Sequence, residues 1–335
     1  MSGFTFDLSG GMADAVFGKC QNPIKMLIEK RGEAFEQKSL LKELFKMDTV
    51  SNYGTELHSM TSMQGFEPGP ANGAFPSDDM EEGYSKFLKA VTWRDRFTLS
   101  SDAVEDGLTL DLKKKPVQFM AAYERTREDF GACIYAGAMS GKSSVRYGKM
   151  KFDICGADGL PIFHQEHVNK IDGVKQCNLF SDEFSVEALD AVESEMHLFK
   201  DDRSKLLAVN PDTILIAEDP VLKRKVFEAI GSDKDPATSE NAYNYQYGRW
   251  NVIIWPYLNR FLEKGLKPWI VMDSKYNQEY EGAVWHDRRP LHIESYVDKG
   301  TKANVWDGSS RFNATFFDWR FAALGGMASG KALVG

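Results

Sequence analysis

"KPVQFMAAYERTREDFGACIYAGAMSGKSSVRYG", Lys115 to Gly148, decides how this chain is built. It contains Gly141-Lys142-Ser143, the tail of a nucleotide-cradling loop. A phosphate loop needs Gly-x-x-x-x-Gly-Lys-Ser/Thr between a strand and a helix, so that loop N–H groups and the helix N-terminus face the anion together. Here Gly137 and Gly141 are too close by one residue, and Ala136 stands where glycine belongs. The flanks are inverted too. Before the motif, Pro116 suits a first helical position. Phe119, Tyr123, Phe130, Cys133 and Gly137 mark one face, with Glu124, Arg125, Arg127, Glu128 and Asp129 around the rest. After it, "KMKFDI" (Lys149–Ile154) alternates like a strand. The stretch therefore reads as a helix of about 25 residues, roughly 37 Å long, that breaks at glycines. A nucleotide-binding enzyme using Lys142 and Ser143 is the competing reading.

Upstream, apolar spacing within Ser39–Met47 suits an amphipathic helix. "GFEPGPANGAFPSDD" (Gly65–Asp79) is too rich in glycine and proline for a regular element. The N-terminal part is expected to stay out of the main core. "WRDRFTLSSDAVEDGLTLDL" (Trp93–Leu112) mixes alternation with a Glu-Asp-Gly turn and reads as a two-stranded excursion.

Downstream, Asp158-Gly159 supplies a hairpin turn. Ser185 is the expected cap of a helix with Leu189, Val192, Met196 and Phe199 inward. "NPDTILIAEDPVLKRKVFEAIG" (Asn210–Gly231) reads as turn, buried strand and a helix opened by Asp219-Pro220. "WNVIIW" and "WIVMD" are further strands, and Leu291–Trp319 alternates around a turn at Asp307-Gly308. The fold class is α+β.

The 335 residues carry a net charge of -8, which disfavours sequence-specific nucleic-acid binding. No window reaches the roughly 20 apolar residues of a membrane span. The opening "MSGFTFDLSGG" lacks a secretory pattern, and Cys20, Cys133, Cys155 and Cys177 are few and irregular, as expected of reduced thiols in a cytoplasm. His164-Gln-Glu-His167 between Cys155 and Cys177 invites zinc, but the spacing lacks the paired ligands of structural sites. No Gly-x-Ser-x-Gly elbow anchors a hydrolase triad. "WIVMD" with Asp273 could pass for a magnesium-holding strand. No catalytic, cofactor or metal residue is assigned. Asp78, Asp79, Glu81 and Glu82 read as a solvated acidic run. Lys113, Lys114 and Lys115 place like charge at a helix start, which is unfavourable and hints at an acidic partner, another subunit among the candidates.

Six strings in succession carry a resemblance: "GFEPGPANGAFPSDDMEEGYSKFLKAVTW" (65–93), "DGLPIFHQEH" (158–167), "CNLFSDEFSVEALDA" (177–191), "VNPDTILIAEDPVLKRKVFEAIG" (209–231), "YNYQYGRWNVIIWPYLN" (243–259) and "SRFNATFFDWRFAALGG" (310–326). Their order resembles the major capsid proteins of tailed bacteriophages, with the Hong Kong 97-type fold and including the Mu-like head subunits. It covers Glu67 to Met327. The resemblance implies an N-terminal arm or scaffold-like segment (1–80) and an extended β-hairpin loop (81–115). It further implies a spine helix with peripheral domain (116–184), an axial domain (185–285) and return strands (286–335). It implies no enzyme and no cofactor, but copies joined as hexamers and pentamers of an icosahedral shell in the virion, made in the bacterial host cytoplasm. Portal, scaffold and decoration proteins are further candidate partners; packaged DNA would be met non-specifically, and a membrane not at all. Trp93 and Phe97 on the loop and Lys113–Lys115 are the candidate assembly residues, the rings being expected to bury against a neighbour. Lys86, Lys89 and Lys113, with Asn304 and Asn313, are the residues available to an isopeptide crosslink of the kind some members form. An encapsulin-like compartment of the same fold is the other alternative.

Overall fold

The computed structural model describes residues 5–7, 35, 38–60, 82–100, 109–231, 243–301, 303–327 and 330. The first part runs through β1 (Thr5–Asp7), α1 (Leu41–Leu44), β2 (Lys46–Thr49), β3 (Gly54–Met60), β4 (Glu82–Lys89) and β5 (Val91–Leu99) into the long helix α2 (Thr109–Met139). Short pairs β6 (Ser144–Tyr147), β7 (Met150–Asp153), β8 (His167–Val168) and β9 (Lys175–Gln176) follow. Next come α3 (Val186–His197), β10 (Thr213–Ala217), α4 (Pro220–Ile230), β11 (Asn251–Trp255), β12 (Trp269–Met272) and α5 (Ser274–Tyr280). β13 (Ala283–Val297), β14 (Asn304–Phe316) and β15 (Ala322–Gly325) complete the α+β fold.

A five-stranded sheet is ordered β1-β13-β14-β5, with β2 also on β13. A four-stranded sheet is ordered β11-β10-β12-β15. The last strand therefore leaves the first sheet and pairs with β12, Trp269 opposite Gly325. β10 is buried at every position and sits between β11 and β12, so "TILIA" reads as a continuous apolar run and not as an alternation. One apolar core joins residues from both sheets, α2, α3 and α4.

Helix starts follow local chemistry. Ser185 accepts from the Ala188 N–H at 3.1 Å. Asp219 accepts from Val221 and Leu222 at 2.9 and 2.8 Å, with Pro220 in the first turn. Asp273 does the same for Lys275 and Tyr276, so the acid after "WIVM" is a helix cap rather than a magnesium ligand.

Several expectations are corrected. The N-terminal part does enter the core: Leu41, Leu44 and Phe45 are fully buried, and α1 is a single turn before Lys46 enters β2. Helix α2 begins at Thr109, leaving Pro116 inside it. The final hairpin turns at 298–303, where Asp298 accepts from the Gly300 N–H and from the Thr301 hydroxyl. Asp307-Gly308 lies within β14 instead, Gly308 opposite Ile293. The proline- and glycine-rich stretch 65–79, the charged stretch 22–34, Cys20 and the Glu-Asp-Gly turn at 105–107 lie outside the described residues.

Candidate assembly surface

The Gly-Lys-Ser segment closes α2. Gly141 has φ +66°. Its N–H donates to the Ala138 carbonyl at 2.9 Å, and the Lys142 N–H reaches back to Gly137 at 3.0 Å. These paired bonds are the Schellman end of a helix, in which a left-handed residue satisfies the last carbonyls. The two amides a phosphate would need are thus spent on the helix, and β6 follows in place of a second helix.

Four of the five charged residues in the middle of α2 are buried, Arg125 alone among them being exposed, contrary to the one-sided pattern read from the sequence. Glu124, Arg127, Glu128 and Asp129 are all under a tenth exposed. Three of them reach different parts of the molecule. Arg127 holds Asp287 of β13 through two bonds of 2.8 and 2.9 Å. Glu128 accepts from the Ser39 hydroxyl at 2.7 Å and from the Trp255 indole at 2.9 Å. Asp129 pairs with Arg260. Burial alone would lower the Arg127 pKa, but Tyr123 and Asp287 outweigh it and hold the guanidinium above its usual range. Burial raises the Glu128 pKa against the bonds from Ser39 and Trp255. One helix thereby fixes the N-terminal segment and both sheets to each other.

Trp93 and Phe97 do not wait for a neighbour. Strand β5 pairs antiparallel with β14, from Val91 opposite Phe312 to Leu99 opposite Asn304. Trp93 stacks on Phe312 at 4.7 Å and donates to the Phe312 carbonyl at 3.1 Å. Phe97 stacks on Trp306 at 5.0 Å and leans on Phe119 of α2. Both rings are half-buried, and the partners they pack on lie in their own chain rather than on another subunit. Lys114 is exposed, and Lys115 donates to the Thr98 carbonyl at 3.2 Å, tying α2 to β5. The Lys113 side chain lies outside the described residues.

The element that stands apart is further upstream. β3 and β4 pair only with each other among the described residues, Gly54 opposite Lys89 and Met60 opposite Glu82. Sequence reading left β3 in the arm, because a single apolar residue, Leu57, marks its inner face. At the root, Leu57 and Leu88 pack on Val284 and Phe317. Lys86 is inserted there, donating to the Cys155 carbonyl at 2.5 Å, the Thr315 hydroxyl at 2.8 Å and the Phe316 carbonyl at 3.2 Å, with Asp153 at 3.2 Å. Burial depresses its pKa, and Asp153 opposes that shift. Lys86 is therefore already engaged within its own chain. The other crosslink candidates are placed likewise: Asn313 donates to the Lys89 carbonyl at 2.9 Å, and Asn304 is buried. Phe87 (58% exposed), on the ribbon's face away from Lys86, and Tyr53 (54%), at the ribbon's start, face solvent, while farther out Lys170 donates to the Gly83 carbonyl at 2.6 Å and the Tyr84 hydroxyl to the Val168 carbonyl at 3.3 Å.

The histidine–cysteine group does not converge. His167 is fully buried between Asp158 (2.6 Å) and Asn178 (3.2 Å), stacked 4.4 Å from Trp319. The His164 ring nitrogen accepts from the Glu166 N–H, while the Cys155 and Cys177 thiols face the Ser143 and Leu179 carbonyls. No group of three potential ligands forms among the described residues. In an open groove lined by Lys42, Glu43, Asp212, Arg249, Ser274 and Glu279, Asp212 accepts from the Ser274 and Thr213 hydroxyls at 2.5 and 2.8 Å. No helix among the described residues is long and apolar enough to cross a membrane.

No protein-family model matches the sequence, and no curated protein matches it. Solved structures of similar backbone include the capsid of Ralstonia phage GP4, at 7% identity over 83% of this chain and 84% of that one, with a TM-score of 0.49. The satellite phage P4 procapsid including the size determination protein is similar at 12% identity over 99% and 94%, TM-score 0.46. The holo-SrpI encapsulin complex from Synechococcus elongatus is similar at 11% identity over 85% of each chain, TM-score 0.48.

Proposed function

We propose that this chain is a major capsid protein of the Hong Kong 97 type, a subunit whose copies build the icosahedral head of a tailed bacteriophage. The observation that carries this reading is the β3–β4 ribbon on a body that α2 makes rigid. A two-stranded ribbon is marginal in water by itself. Here its root is fixed by Lys86 and a small apolar cluster, while Phe87 and Tyr53 remain uncovered. That design suits a lever laid across an adjacent copy. The ordered succession of family-like strings supports the same reading, and it assigns geometry, not chemistry, as the job. Closed shells need many modest contacts repeated around local axes.

Negative-stain microscopy of the purified protein tests it. Rings or closed particles are the expected result; a single copy at every concentration would sink the reading. Particles that enclose a protein cargo and no DNA would move it to an encapsulin-type compartment.

A further inference from the structure

The two edges of the five-stranded sheet are treated differently. On one side β1 and β2 both pair with β13, each covering a part of it. On the other, β5 pairs with β14 alone and carries no further strand among the described residues. It is a nine-residue strand in which Val91, Trp93, Phe97 and Leu99 alternate with Thr92 and Thr98. Unpaired N–H and C=O groups along a long edge of good strand formers are a template for another chain.

Two charged side chains occupy that edge. The Thr98 carbonyl accepts from the Lys115 ammonium at 3.2 Å, and the Arg96 N–H donates to the Asp95 carboxylate at 2.8 Å. Both main-chain groups therefore point away from β14. Rungs alternate in an antiparallel pair, so Thr92 and Arg94 turn their main-chain groups outward with them. Asp95 sits on the strand face of Trp93 and Phe97, opposite Gly308, at a position where the apolar alternation is broken. Lys115 reaches over from α2.

We propose that Asp95 and Lys115 guard the β5 edge, holding the outward groups of Arg96 and Thr98 so that the extended chain of a second copy cannot add to the sheet there. A strand joining β5 would have to displace both side chains, at two adjacent outward residues of the four. Lys115 then acts by excluding a contact, where the sequence pointed to making one. The inference goes beyond the shell reading and stands without it, because an open edge recruits another copy whatever the chain builds.

Asp95→Ala with Lys115→Met is the test. It removes both bonds, keeps the apolar stem of the lysine, and leaves the net charge at -8 because one acid and one base are lost together. The circular dichroism spectrum should match that of the wild-type protein. Sedimenting aggregates that bind thioflavin T should appear at a concentration at least about tenfold lower. Adding Thr98→Pro should reverse that fall, since proline withholds an outward N–H that the ladder with β14 does not use. A folded double variant as soluble as the wild-type protein overturns the proposal, and so does aggregation that the proline leaves unchanged. Should the double variant not fold, Asp95→Ala alone, at an exposed position, decides: amide exchange at Arg96 should accelerate and aggregation begin at a lower concentration, and no change in either overturns the proposal. Microscopy of the wild-type protein reads the shell separately, so failure of that reading and failure of this one are told apart.

Discussion

Arg127 on α2 and Asp287 on β13 form a two-point ion pair, 2.8 and 2.9 Å, with the guanidinium 4.9 Å from the Trp285 ring and 5.1 Å from Phe312. The pair is largely buried, so its two halves are not equivalent to a surface bridge. Removing one partner leaves a charge in an apolar environment. Arg127→Ala should cost about 3–5 kcal/mol, whereas Arg127→Met with Asp287→Leu should cost much less, since a buried pair often matches an apolar replacement. Denaturant unfolding at one fixed assembly state checks both, because assembly itself adds stability by mass action.

The end of α2 gives the second prediction. Gly141 has a positive φ and open space around its Cα, so a side chain there meets backbone strain and no clash. Gly141→Ala should lose about 1 kcal/mol. Lys142→Ala should change stability by less than about 0.5 kcal/mol, because the backbone amide of residue 142 makes the capping bond and its side chain is exposed. Calorimetry with ATP and magnesium should give no heat with either protein. Heat that vanishes in Lys142→Ala would restore the nucleotide reading.

What the sequence makes legible is local. Ser185 and Asp219 announce their helices because cap and capped amide lie two or three residues apart. Pairing is nonlocal. Alternation in β5 is the same whether Trp93 buries against Phe312, more than two hundred residues later, or against another subunit. Asp-Gly is a strong hairpin signal, yet Gly308 sits within a strand because a Cβ there would run into the Phe119 ring above it. The buried charges of α2 were illegible for a third reason. Ser39, the segment from Trp255 to Arg260, and Asp287 satisfy them from three distant stretches, and nothing near residue 127 forecasts that. Nothing in β3 announces the ribbon either, because the strand carries no apolar run.

His286 supplies a pH dependence. Its ring is buried on β13 opposite Asp48 of β2, and its Nδ1 has no partner among the described residues. Burial holds its pKa below the ordinary 6.5; Asp48, Glu281 and Asp287 pull upward, and Lys46 pushes down with burial. The unfolded chain then binds the proton more readily than the folded one. Stability should be full above about pH 6.5 and fall as pH drops through the lowered folded value. Unfolding midpoints between about pH 5.5 and 7.5 should slope downward toward acid, and His286→Leu should flatten that slope.

Lys86 decides whether the ribbon is a rigid lever or a tether. Its ammonium fills three acceptors, two of them main-chain carbonyls, joining β4 to Cys155 after β7 and to the last two residues of β14. Lys86→Met keeps much of the apolar stem but abandons those acceptors, at a cost of about 1–3 kcal/mol. That loss should be local, since Leu57, Leu88 and the bonds of Gly83, Tyr84 and Lys89 to Lys170, Val168 and Asn313 still hold the ribbon to the body. Hydrogen exchange should accelerate in Gly54–Met60 and Glu82–Lys89 while α2, locked by Arg127, Glu128 and Asp129, keeps its protection. If the shell reading holds, the variant stays folded yet assembles poorly, because a loose ribbon must be ordered again at every contact. Unchanged exchange in β3 and β4 would show that the apolar root alone sets the ribbon's direction.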